Sequence, residues 1–201
     1  MIDHKRKLLF LHIPKTAGRA IECAMTNKNV VSNADFYQAS VIHRHAKMLD
    51  YGEYWQTYKT FTVVRNPYSR CLSAYRHEAA VVDKRPWWEQ QMMEKSEGDF
   101  RVFVRDFLPH MVENRVLFYP QWSWLEPTPD DVLRFEDIDT EWTRFATPYK
   151  MPKLPRVLGP AKDLPAGTTW QSFYDDETAK RVAECYKLDF ELTGYAEDWV
   201  A

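Results

Sequence analysis

No stretch of this 201-residue chain approaches the roughly 20 consecutive apolar residues that cross a bilayer. The run Leu8 to Ile13 follows Lys5-Arg-Lys7 in the manner of a secretory signal, but it is too short for one, already contains His12 and gives way to Pro14 and Lys15. The reading is a cytoplasmic protein with no membrane partner. Cysteine is scarce: Cys23, Cys71 and Cys185 are odd in number, far apart and without a CxxC or a nearby Cys/His pattern, which indicates neither a disulfide framework nor a zinc site. Glycine is scarcer than a nucleoside-triphosphate loop needs; six are present and no GxxxxGK[ST] occurs. Net charge is low as well. At −2 the chain has no bulk attraction for nucleic acid, so any anion site must be built locally.

What is present suits one α/β domain over residues 1–201, since 45% hydrophobic composition at this length fills a single core. Leu8–Ile13, Thr60–Val64 and Val132–Phe135 are short apolar runs bounded by polar residues, the pattern of buried strands. Helices are predicted over Ala17–Met25, Tyr68–Val82 and Phe100–Leu108. Strands alternating with helices imply a parallel sheet covered on both faces. Ala179, Val182, Tyr186 and Phe190 recur at helical spacing between Asp175 and Gly194, which predicts one capped amphipathic helix. Thr147 to Thr169 holds five prolines and two glycines and reads as a long loop of functional interest.

Leu8-Leu-Phe-Leu-His-Ile-Pro-Lys-Thr-Ala-Gly-Arg-Ala-Ile-Glu22 runs strand, tight turn, helix start. A helix N-terminus binds an anion through its unpaired N–H groups and its dipole, and Lys15 adds a positive charge beside it. Pro14 stiffens the turn and Gly18 permits close approach of the backbone. Phe61-Thr-Val-Val-Arg-Asn-Pro-Tyr-Ser-Arg-Cys-Leu-Ser-Ala-Tyr75 repeats the pattern, with Arg65 as a planar fork for phosphate and Ser73 as a hydroxyl donor two turns along. Two anion sites in adjacent βα units suit a nucleotide with phosphates at both ends.

These residues resemble the carbohydrate-type sulfotransferases, a family that includes heparan sulfate 2-O-sulfotransferase and bacterial relatives. His-Ile-Pro-Lys-Thr-Ala-Gly at 12–18 is similar to the family's 5′-phosphosulfate loop, and Val-Arg-Asn-Pro-Tyr-Ser-Arg-Cys-Leu-Ser-Ala-Tyr at 64–75 to its 3′-phosphate motif. Leu133-Arg-Phe-Glu-Asp137 and the C-terminal stretch through Tyr195 match later landmarks. The resemblance implies a P-loop-like three-layer α/β domain with a central, mostly parallel sheet flanked by helices. It also implies the donor 3′-phosphoadenosine-5′-phosphosulfate (PAPS), with the bisphosphate PAP as product. Donor contacts are assigned on this basis to Pro14, Lys15, Thr16, Ala17, Gly18, Arg19, Ala20, Arg65 and Ser73. Arg19 and Ala20 depart from the family's hydroxyl residues after the glycine, and Leu154-Pro-Arg-Val-Leu-Gly departs from Leu-Pro-His-x-Asn.

Sulfuryl transfer is an in-line displacement in which charge builds on the leaving phosphate, so positioning and electrostatics carry the catalysis. Lys15 is the natural leaving-group stabiliser, and the small charge to be neutralised makes a metal unnecessary. The acceptor hydroxyl, on a carbohydrate or a small molecule, needs a base. Val41-Ile-His-Arg-His45 resembles the family's His-x-His segment, which points to His45, with His43 and Glu78 behind it. Trp87, Trp88, Trp122 and Trp124, with Phe118 and Tyr119, are core residues for the most part and otherwise stacking faces for an acceptor. Trp170 is a candidate adenine cover, and Arg156 and Lys162 are candidate phosphate contacts. Two other readings compete: a nucleotide kinase using Val132–Asp137 as a metal-holding strand end, and a non-catalytic nucleotide- or glycan-binding module.

Overall fold

Leu8-Leu-Phe-Leu11 has no polar residue to turn toward water, and all four side chains are fully buried in strand β2 (Leu8–Leu11). In the computed structural model, which describes residues 1–28, 44–157 and 164–199, β2 lies between β1 (Ile2–Asp3) and β3 (Lys59–Val64), and β3 is followed by β4 (Asp131–Arg134). The β1–β2 pair is antiparallel; β2–β3 and β3–β4 are parallel, with Phe10 opposite Phe61 and Val63 opposite Leu133. Asp130 fixes the β3–β4 register by accepting from the Thr60 amide at 2.7 Å and the Thr60 hydroxyl at 2.8 Å. The three sequence-predicted strands are present within two residues of their predicted ends; β1 is too short to leave a periodic signal.

The described residues divide into two units, one of Met1–Arg65 and Gln121–Val157, the other of Asn66–Pro120 and Leu158–Ala201. The first unit contains the sheet. Alternate residues of β2 point to opposite faces. Leu8 and Phe10 join Phe61, Val63 and Leu133 under helices α1 (Gly18–Thr26) and, beyond α2 (Tyr54–Thr57), the later helix that carries Trp142 and Phe145 (Ile138–Ala146). Leu9 and Leu11 face Ala46, Met48 and Tyr51, with Tyr54 and Trp55 of α2 packed against them. Helix, sheet and helix therefore form three layers, the α/β architecture expected.

The second unit is helical: α3 (Pro67–Ala80), α4 (Trp87–Lys95), α5 (Phe100–Asp106), α6 (Leu108–Asn114), then, after α7 (Ile138–Ala146) of the first unit, α8 (Asp176–Cys185) and α9 (Lys187–Thr193). Its core gathers Tyr68, Leu72 and Tyr75 of α3 with Phe100, Phe103, Leu108, Phe118, Val182 and Phe190. The predicted C-terminal helix begins at an Asp175 cap and stops at left-handed Gly194 as its sequence requires, but it is two helices. Tyr186, at φ −119° and ψ 24°, breaks it. The buried Tyr186 hydroxyl donates to the Phe118 carbonyl at 2.9 Å, an interaction that no helical period encodes. The loop predicted over residues 147–169 is a 3₁₀ turn at Thr147–Tyr149 followed by irregular chain through 157; Lys162 lies outside the described residues.

Candidate active site

The β2–α1 turn is closed by its own residues. The Thr16 hydroxyl donates to the Ile13 carbonyl at 2.8 Å, and Lys15 and Ala17 take left-handed backbone angles, φ 70° and 66°. Neither is glycine, so each conformation costs about 1–3 kcal/mol and is held by its surroundings, as is common at ligand clamps. Left-handed residues beside right-handed ones also turn successive N–H groups toward one point. α1 starts at Gly18 without a side-chain cap, because Ala17 at the N-cap has no acceptor to offer the first turn. A helix N-terminus without a side-chain cap is the form in which backbone N–H groups can meet an anion. Arg19 is exposed, Pro14 is buried, and Lys15, Ala17 and Ala20 are half-buried.

Gly18 is needed for a neighbour. It is not in the left-handed region; the imidazole of His12 packs against its Cα so closely that an ideal Cβ would lie 2.0 Å from Nε2. His12 Nδ1 and Glu22 Oε1, both buried, are 2.6 Å apart. Burial pushes the His12 imidazolium down from its usual range despite Glu22. Burial alone would raise the Glu22 carboxyl, but the His12 hydrogen bond and the charges of His12 and Arg44 hold it below the ordinary carboxylate value. A carboxylate oxygen only accepts, so His12 Nδ1–H is the donor of this bond. Oε2 of Glu22 faces Arg44 Nε at 3.2 Å.

His45 follows directly. Its Nδ1 lies 2.9 Å from the His12 carbonyl, its ring meets the His12 ring edge-on at 4.6 Å, and its own carbonyl accepts from Trp124 Nε1 at 3.1 Å. A carbonyl only accepts, so Nδ1 must carry the proton and Nε2 of the neutral ring has the lone pair. His43 lies outside the described residues.

Arg65 ends β3 beside the same turn. Its guanidinium donates to the Lys15 carbonyl at 3.2 Å and lies 4.0 Å over the Phe135 ring, while its backbone N–H and C=O both pair with the buried Gln121 amide, at 2.9 and 2.8 Å. Lys15, Arg65 and His45 are thus brought to one end of the sheet within one unit. The second predicted anion site is different: the N-terminus of α3 is capped by Asn66, whose side chain accepts from Tyr68 N at 3.0 Å and Ser69 N at 3.4 Å. Those two donors are already satisfied within the motif. Ser73 is half-buried on α3, in the other unit. Arg70, in the same motif, is a buried strut that donates to the carbonyls of Leu117 and Tyr119.

A model of the sulfotransferase family matches residues 1–154. The chain belongs to the sulfotransferase family. The match covers the β2–α1 turn, the His45 segment, the Arg65 strand end and the Leu133–Asp137 stretch, while the C-terminal stretch through Tyr195, on which the resemblance to carbohydrate-type sulfotransferases also rests, lies beyond it. No curated protein and no solved structure matches the chain. Among the described residues no cluster of three or more metal-ligating side chains occurs, and no helix is long and apolar enough to cross a membrane. The three cysteines are free thiols, with Cys71 pushed up to about 12 by burial.

Other sequence candidates fall elsewhere. Glu78 is buried in the second unit, 2.5 Å from Arg85 and 3.5 Å from Arg115. Trp124 and Phe118 are core, Trp87 is exposed, and Trp170 stacks on Tyr68 at 5.5 Å. Glu22, Arg44 and Phe135 lie inside motifs read from the sequence and Gln121 outside them, but none had a role assigned there, because spacing along the chain does not encode which distant group each one meets.

Proposed function

We propose that the protein transfers a sulfuryl group from PAPS to an acceptor hydroxyl, with His45 as general base and Lys15 as leaving-group stabiliser. The observation that supports the reading is the His45 Nδ1–H···O=C His12 hydrogen bond, made at the start of the turn that the family resemblance associates with the 5′-phosphosulfate; a neutral ring protonated on Nδ1 has its lone pair on Nε2. The N–H groups of residues 15–18, the Lys15 ammonium and the first turn of α1 bind that end of the donor, with Arg19 and Ala20 contributing backbone. Arg65 binds the 3′-phosphate, and Ser73 is carried over from the family's motif as a further donor contact.

In the step itself the acceptor oxygen attacks sulfur, its proton passes to His45 Nε2, and the S–O bond to the 5′-phosphate breaks in line. The charge left on the phosphate of PAP is met by Lys15 and the turn amides. The transferred group brings less negative charge than a triphosphate, so electrostatics from these residues suffice and full rate in EDTA is expected. The acceptor is a hydroxyl compound, a carbohydrate or a smaller molecule.

Incubation with PAPS labelled in its sulfur, across a panel of sugar and phenolic acceptors, tests the reading. Label should move to at least one acceptor, and His45→Ala should cut turnover about 10²–10⁴-fold while leaving PAP binding intact. Transfer that is equally fast in the variant would remove His45 from the mechanism.

A further inference from the structure

Glu22 lies within α1, fully buried, and its two carboxylate oxygens reach two different chain segments. Oε1 is hydrogen-bonded to the His12 ring at 2.6 Å, and Oε2 is ion-paired with the Arg44 guanidinium, whose Nε lies at 3.2 Å. His12 provides the carbonyl to which His45 Nδ1 is bonded, and Arg44 is the residue immediately before His45. One carboxylate therefore pins both the acceptor residue and the neighbour of the donor in the hydrogen bond that orients the imidazole. A buried carboxylate is costly unless its charge is met, so this arrangement is not a default of helix packing. An apolar residue would fill α1 more cheaply.

We propose that Glu22 is the positioning residue of His45: through His12 on one side and Arg44 on the other, it holds His45 in the Nδ1–H tautomer with Nε2 basic. The inference rests on His45 being the base. Without the clamp, His12 and Arg44 move independently, the His45 Nδ1–H···O=C bond loses its fixed geometry, and the ring returns toward the Nε2–H form that free histidine prefers. That form has a proton where the base needs a lone pair. Trp124, which donates to the His45 carbonyl at 3.1 Å, holds the backbone of the segment but does not select the tautomer.

The test reads the tautomer directly, by long-range ¹H–¹⁵N correlation of ¹⁵N-histidine-labelled full-length protein above the histidine titration range, with His45→Ala to assign the ring. The wild type should show His45 protonated on Nδ1. Glu22→Gln, which preserves shape, and Arg44→Met, which releases one arm only and covers the case in which the first variant fails to fold, should both shift the ring toward Nε2–H. With a competent acceptor, kcat should fall about 10- to 100-fold while the KM for PAPS stays near wild type. Wild-type His45 protonated on Nε2, or an unchanged Nδ1–H ring in the variants, overturns the proposal. The tautomer readout requires no turnover, so a protein that binds PAP and fails to transfer sulfate would count against the sulfotransfer reading alone.

Discussion

The His12 imidazole occupies the place that a Cβ on Gly18 would need, with Nε2 only 2.0 Å from that position. Helix propensity by itself favours alanine over glycine by about 1 kcal/mol in a helix interior. The packing argument has the opposite sign. Both the His12 ring, tied to Glu22, and the helix backbone are fixed, so Gly18→Ala should destabilise the protein by about 1–3 kcal/mol and weaken PAP binding as the turn is displaced. Urea unfolding and a PAP titration of the variant measure both; a stabilised Gly18→Ala would mean that the ring is not there.

The same histidine sets an acid limit. His12 titrates in the folded protein below its ordinary value of 6.5 because it is buried, and Glu22 titrates below its ordinary value of 4.5 because the His12 hydrogen bond and nearby positive charge outweigh its burial. In both windows the unfolded chain binds more protons than the folded one, so stability rises with pH. It is fully present above 6.5 and is lost as pH falls through the folded value of His12, then further below 4.5 as Glu22 is protonated. His12→Gln should flatten the upper step in unfolding free energies measured between pH 7 and pH 5, at some cost in absolute stability. An unaltered slope would contradict the assignment.

Arg65 is expected to act on donor affinity. Its guanidinium donates to the Lys15 carbonyl and lies over the Phe135 face. A lost charged hydrogen bond is worth about 1.5–3 kcal/mol, so Arg65→Ala should raise the Kd for PAP roughly 10- to 150-fold, and Arg65→Lys should recover part of it. Equal affinity for PAP in all three proteins would place the 3′-phosphate elsewhere.

The sheet strands and the two strand–turn–helix motifs were legible because they are continuous in sequence: Leu8–Leu11 is apolar throughout and is followed by Pro14, Lys15 and Gly18 at fixed spacing. What holds the site was not. Gln121 pairs with the backbone of Arg65 across 56 residues, and Trp124 reaches the His45 carbonyl across 79. Glu22 is fully buried in α1, which nothing in its sequence neighbourhood indicates. The break at Tyr186 was hidden for the same reason, since its hydroxyl bonds a carbonyl 68 residues away. Local pattern reveals elements and turns, whereas the partner of a buried polar group is set by topology.

In the helical unit, Glu78 and Glu89 are both buried and share Arg85 and Arg115, with Arg115 reaching Glu89 at 3.1 Å and Glu78 at 3.5 Å. Burial raises the Glu89 carboxyl, and the charge of Glu78 adds to that while Arg115 opposes it. Removing Arg115 leaves two buried carboxylates with one cation between them. Arg115→Met should therefore cost about 3–5 kcal/mol, whereas Glu89→Gln, which removes a like charge, should cost far less. Urea unfolding of the two variants ranks them, and the reverse order would refute the account of this cluster.

The central claim, a PAPS-dependent sulfotransferase, is tested most directly by calorimetric titration of the metal-free protein with PAP, beside AMP and ATP with magnesium. The account predicts tight binding of PAP, unaffected by EDTA, and little response to the other two. Preference for magnesium-bound ATP, with PAP bound weakly or not at all, would contradict it and point to phosphoryl transfer instead.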